Sequence, residues 1–186
     1  MKRAWNTSTT PGTRGRQAET VAPDAAWEGM QTTYKTARRP DRQSHSMTTS
    51  TRFDTKIAVL LREDLETWQR LNVTAFLVSG LSTQFPELIG EPYEDADGVP
   101  YLPMFRQPVL VFQGSKEILG TAHTRALTRA LPRAVFTGDL FATGHDEANR
   151  AAVRAVGTRD LDLVGLAVHG PRNAVDKVLK GARMHP

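Results

Sequence analysis

Lys56-Ile57-Ala58-Val59-Leu60-Leu61-Arg62 decides the reading of the chain. Its five apolar residues run without a polar interruption. A strand with one wet face would alternate, so this one is expected to be covered on both faces, as in α/β proteins. Downstream, Leu71–Leu81 places Val73, Phe76, Leu77, Gly80 and Leu81 at helical spacing. Pro108–Phe112, Ala134–Phe136 and Leu163–Val168 read as further buried strands. Ser115 is placed to cap a helix whose inner face holds Ile118, Leu119, Ala122, Ala126, Leu127, Ala130 and Leu131. Thr143-x-x-Asp146 resembles a capping box that opens a helix through Ala155. Pro171 fits the first position of a last helix, and Gly181 lies just past its end. This alternation predicts a three-layer α/β/α domain with a mixed, mostly parallel sheet and helices on both faces.

Between the first helix and the second buried strand, Glu91–Leu102 reads as a hairpin turning around Asp97-Gly98. Pro92, Pro100 and Pro103 push it to an edge, where it offers a surface for a homodimer. Its carboxylates Glu91, Glu94, Asp95 and Asp97 lack the spacing of a calcium loop and suit an exposed edge that resists strand pairing.

Residues 1–54 are rich in Thr, Ser, Arg, Gln, Gly and Pro and nearly free of aliphatic side chains. They are expected to form a disordered basic extension, with residues 55–186 as a single domain. The 24 basic and 20 acidic residues divide into eight and four before Met47, and sixteen of each from Met47 onward. The whole charge excess therefore lies in the extension. Nucleic-acid binding is expected of that tail, if anywhere, and not of the neutral domain. Met47 is also a candidate start codon.

Cysteine is absent, which excludes disulfides, thiolate metal sites and a cysteine nucleophile. No apolar run is long enough to span a bilayer, and none follows the opening Met1-Lys2-Arg3 as a secretory signal would require. The expected location is the cytoplasm, with no membrane association and no cofactor.

Thr55–Leu65, Leu71–Phe76, Leu88–Asp95, Thr143–Asn149 and the closing Gly170–Pro186 together resemble the family known as domain of unknown function 2000. That resemblance spans Thr55–Pro186 and implies no activity. It does imply a fold similar to type-2 peptidyl-tRNA hydrolases, carried by Leu61–Leu65 and by Val164–Pro171 followed by Val175–Gly181. Those hydrolases carry a lysine at the start of the first helix and a glutamine four positions on. Here Asn72 and Phe76 fall in those slots, or Leu71 or Arg70 in place of Asn72 if the alignment shifts. Asp139 is roughly equivalent to their aspartate. An asparagine cannot supply a lysine's cationic stabilisation.

Ligands in open α/β sheets bind beyond the carboxyl ends of strands. The loop after the first strand brings Arg62 and Asp64 there, and Thr143 and Asn149 are the other side chains expected to line a ligand site. Asn72, His145 and Asp139 are the candidate catalytic groups. His145, four residues before Asn149 and beside Asp146 and Glu147, could act as a general acid or base. The absence of a second histidine at the metalloprotease spacing argues against a metal site. Gly165-x-x-x-x-Gly170 precedes Pro171-Arg172 where a phosphate loop would carry Lys-Ser/Thr, leaving a helix N-terminus with Arg172 as a weak anion site. Two readings result: a small-ligand-binding or regulatory module, and a hydrolase of an ester or amide, aminoacyl- or peptidyl-tRNA included.

Overall fold

The computed structural model describes residues 53–186. The expected disordered extension lies outside the described residues, apart from Phe53 and Asp54. Among the described residues no helix is long and apolar enough to cross a membrane.

The opening apolar run is the centre of the sheet. Strand β1 (Thr55–Arg62) lies between β4 (Val109–Gly114) and β6 (Leu163–Pro171). Beyond them, β5 (Arg133–Thr137) and β7 (Arg183–Met184) close the order β5-β6-β1-β4-β7. Ile57, Val59 and Leu61 face Val73, Leu77 and Leu81 of helix α1 (Thr67–Gln84). Ala58 and Leu60 face the opposite layer, helices α2 (Lys116–Thr128) and α4 (Arg172–Val178), through Leu119, Ala126, Val175 and Val178. Both faces are covered, as the unbroken run required. Leu60 is wholly buried, and truncating it to Ala removes about 2–5 kcal/mol.

The sheet is mixed, but it is not mostly parallel. Only β1 and β4 pair in parallel; β1–β6, β5–β6 and β4–β7 are antiparallel. The cause is the connection after β5. It runs through a 3-10 segment (Gly138–Ala142) and helix α3 (Asp146–Arg154), and Leu163 then pairs with Thr137 at the edge where β5 ended. The chain returns to the same edge, so β6 must run backwards. Buried apolar runs signal a strand but carry no direction.

Helix α1 begins four residues before the expected start. The Glu66 N–H donates to Gln69 Oε1 at 2.8 Å, which closes its first turn. Pro171 ends β6 and caps α4 instead of occupying its first position. Gly165 is a strand residue: a β-carbon there would lie 2.4 Å from Val73 Cγ1. Its absence lets α1 approach the sheet, which leaves no phosphate loop. The start of α4 is already served, since the Arg172 N–H donates to the Asp54 carbonyl. Gly181, with φ +101°, sits beyond the end of that helix.

The hairpin forms as β2 (Tyr93–Glu94) and β3 (Pro100–Tyr101), turning at Gly98 with φ +83°.

Candidate functional site

Strands β1, β4 and β5 all end at one edge, and β6 and β7 both start there. Chain direction therefore gathers the loops after Arg62, Gly114 and Thr137 with Asp162, which precedes β6, and Arg183, which opens β7. The loops after Arg62 and Gly114 enclose, with Asp162, a cleft of about 370 Å³ lined by Arg62, Glu63, Asp64, Ser115, Lys116, Glu117 and Asp162. A volume of that size takes a small ligand.

Arg62 is the anchor. Its side chain is 17% exposed, and its Nε donates to Asp64 Oδ1 at 2.7 Å. Its Nη1 donates to Asp162 Oδ1 at 2.9 Å. Burial pulls the guanidinium pKa down, but the two carboxylates outweigh it and the net shift is upward. Lys116 Nζ reaches the same Asp162 oxygen at 2.7 Å. The Lys116 hydrogen bond foremost, with Arg62 behind it, holds the Asp162 carboxyl below the ordinary carboxylate value against a partial burial penalty. A β-carbon on Gly138 would lie 2.7 Å from Asp162 Oδ2, so a glycine is needed for β5 to end this close.

The walls are fixed in the same way. Arg70 Nη2 donates to the Glu63 carbonyl at 2.7 Å and its Nε to the Leu65 carbonyl at 2.8 Å, tying the loop to α1. Arg183 pairs with Glu63 at 3.1 Å. Ser115 accepts from the Ile118 N–H as the cap of α2, and its hydroxyl donates to Glu117. Two cations, Arg62 and Lys116, and four carboxylates, Glu63, Asp64, Glu117 and Asp162, line the cleft, and Arg183 pairs with Glu63 from beside it. Such a surface, with paired charges and a carboxylate excess, suits a small polar molecule that carries a cationic group.

Of the sequence-derived candidates, Arg62 and Asp64 meet here. Thr143 and Asn149 meet elsewhere, the Thr143 hydroxyl donating to Asn149 Oδ1 and to the Leu140 carbonyl at 2.9 Å. His145 is the N-cap of α3, its Nδ1 accepting from the Ala148 N–H at 3.3 Å. Asn72 is exposed in the second turn of α1, not at its start, and Asp139 is exposed in the 3-10 segment after β5. Among the described residues no hydrogen bond joins Asn72, Asp139 and His145 to one another. Sequence reasoning missed Asp162 and Lys116. A lysine in the first turn of a helix opposes the helix dipole, and that oddity was the available signal for a carboxylate partner.

A five-stranded mixed sheet between two helical layers, with a charge-paired cleft where its strands end, defines a small three-layer α/β domain. Residues 55–186 match the family described as protein of unknown function (DUF2000), and the chain belongs to that family. A solved structure of a protein of unknown function from Agrobacterium tumefaciens strain C58 is 46% identical to it. That likeness has a TM-score of 0.71 and covers 73% of this chain and 100% of the other. Among curated proteins none matches.

Proposed function

We propose that the domain is a small-ligand-binding or regulatory module, on a fold similar to that of type-2 peptidyl-tRNA hydrolases, with its ligand in the cleft at the strand ends. The observation that carries this reading is Asp162 Oδ1, shared by Arg62 and Lys116. It fixes paired charges in a ligand-sized recess, where the Ser115 hydroxyl donates to Glu117 and its oxygen is taken up in capping α2. Hydrolysis of a peptidyl- or aminoacyl-tRNA ester needs cationic stabilisation near the first helix. Arg70 is the only charged residue of α1, and it is engaged with the Glu63 and Leu65 carbonyls. The surface around Asn72 takes no cation from that helix.

The test is native mass spectrometry of the full chain against amino acids and small amines, repeated with Lys116→Ala and Asp162→Asn. Retention by the wild type and loss in both variants is the expected result. Multiple-turnover release of peptide from peptidyl-tRNA, abolished by Asn72→Ala, would overturn the reading in favour of a hydrolase.

A further inference from the structure

The hairpin stands off the domain as a bare arm. Every residue from Glu91 to Leu102 is exposed. Four of the nine large apolar side chains exposed among the described residues belong to this short segment, Tyr93, Val99, Tyr101 and Leu102 at 86%, and a fifth, Met104, lies at its base. Scattered exposed apolar residues are ordinary, but a cluster on a projecting ribbon marks a contact surface.

The arm is also braced by its own hydrogen bonds. Asp95 Oδ1 accepts from the Val99 and Asp97 N–H groups at 2.9 and 3.0 Å, and its Oδ2 accepts from the Tyr101 hydroxyl at 2.8 Å. At its base, the Gly90 N–H donates to the Met104 carbonyl at 2.8 Å, and the Arg106 N–H donates to the Leu88 carbonyl at 2.8 Å. Two-residue strands are not stable as an isolated hairpin. Here side-chain bonds hold the shape, so little ordering cost remains to be met on docking.

The same chain carries a receptor of matching chemistry. Between α1 and α3 lies a groove of about 440 Å³, lined by Phe76, Phe136, Leu140 and Val153 and rimmed by Arg150 and Arg154. Phe76 is half exposed above its edge contact with Phe136, at 5.7 Å between ring centroids. Arg154 has no carboxylate partner among the described residues, and Arg150 pairs only with Asp146 on its own helix. The arm brings apolar side chains with Glu91, Glu94, Asp95 and Asp97, and no cation lies between Glu91 and Phe105. Its chemistry is apolar with carboxylates; the groove is apolar with Arg150 and Arg154 and a single carboxylate, Asp146, which engages Arg150. In a single copy the arm's residues are exposed and none of them lines this groove.

We propose that the chain self-associates, the arm of one copy docking in the α1–α3 groove of a second. Tyr93, Val99 and Leu102 of the arm pack against Phe76 and Val153, and Glu94 and Asp97 meet Arg150 and Arg154. Asp95 stays with its own turn.

Sedimentation of the full chain across a concentration series tests this, with far-ultraviolet circular dichroism to confirm that each variant folds. The wild type is expected to associate. Leu102→Asp on the arm and Val153→Asp in the groove are each expected to yield monomers. The double variants Arg150→Glu/Arg154→Glu and Glu94→Arg/Asp97→Arg are each expected to dissociate, and mixing them is expected to restore a mixed species in native mass spectra. A wild type that stays monomeric overturns the proposal. So does an assembly lost with arm changes but not groove changes, or a mixture in which no mixed species forms.

Discussion

At the scale of single residues, shape and burial make the sharpest demands. Gly165 admits α1 to the sheet because a β-carbon would strike Val73 Cγ1 at 2.4 Å and Leu77 Cδ1 at 2.9 Å. Gly165→Ala is expected to lower stability by about 1–3 kcal/mol in urea unfolding, the usual cost of overpacking. Gly120 is the control, an exposed position within α2 where a β-carbon meets nothing within 4 Å. Gly120→Ala is expected to raise stability by about 0.8–1 kcal/mol through helix propensity alone. His169 makes a different demand. It lies buried on β6 beside Phe85, at 4.8 Å between ring centroids, with no partner for its Nε2. Burial pulls its pKa below the ordinary 6.5, with Glu87 opposing. The unfolded chain then takes up the proton first, so stability is full above about pH 6.5 and falls as pH drops toward the depressed folded value. His123 shifts in the same direction, through burial and then Arg133. Urea midpoints measured from pH 7.5 down to about 5 should decline, and His169→Leu should flatten part of that slope. An unchanged slope would assign it to His123 or to other groups.

At the scale of elements, what was legible followed the kind of signal each element sends. The strands β1, β4, β5 and β6 announce themselves by apolar runs, and Ser115 announced α2 by cap chemistry. The start of α1 was hidden because Thr67 and Trp68 are exposed and outside the apolar period, with only Gln69 closing the turn onto Glu66. Strand β7 was hidden for a related reason: Arg183 and Met184 are exposed and pair along one edge of β4. Arg62 and Asp64 could be placed by the rule that loops after strands form sites. Asp162 could not, because it reaches Arg62 across 100 residues, a contact made only by the reversed course of β6. Helix α3 gives an element-scale test of the candidate histidine. His145 caps it through Nδ1, a function asparagine performs better. His145→Asn is therefore expected to hold or raise thermal stability and to leave ligand retention in the strand-end cleft unchanged. Loss of retention with the fold intact would give His145 a role beyond capping.

At the scale of the whole molecule, the deciding quantity is where the charge lies. From Met47 onward the chain holds sixteen basic and sixteen acidic residues, and in the strand-end cleft Arg62 and Lys116 are paired with Asp64 and Asp162 while Glu63 and Glu117 add negative charge. Binding through a phosphate backbone draws on released counterions, and its strength falls with salt in proportion to the number of phosphates neutralised. A neutral domain whose cleft cations are paired would supply few such contacts, which leaves the eight basic residues before Met47 as the candidates. The full chain should therefore bind a single-stranded oligonucleotide at low salt, with a log-log salt slope of about −0.7 per phosphate contacted. A chain begun at Met47 should lose both the affinity and the slope in fluorescence anisotropy while still retaining whatever the cleft binds. Equal slopes for the two chains would place the contacts on the domain itself. The exposed face of α3, with Arg150 and Arg154, would then compete for nucleic acid with the arm of a second copy, and added oligonucleotide would dissociate the assembly. That result would turn self-association and nucleic-acid binding from separate properties into alternatives at one surface.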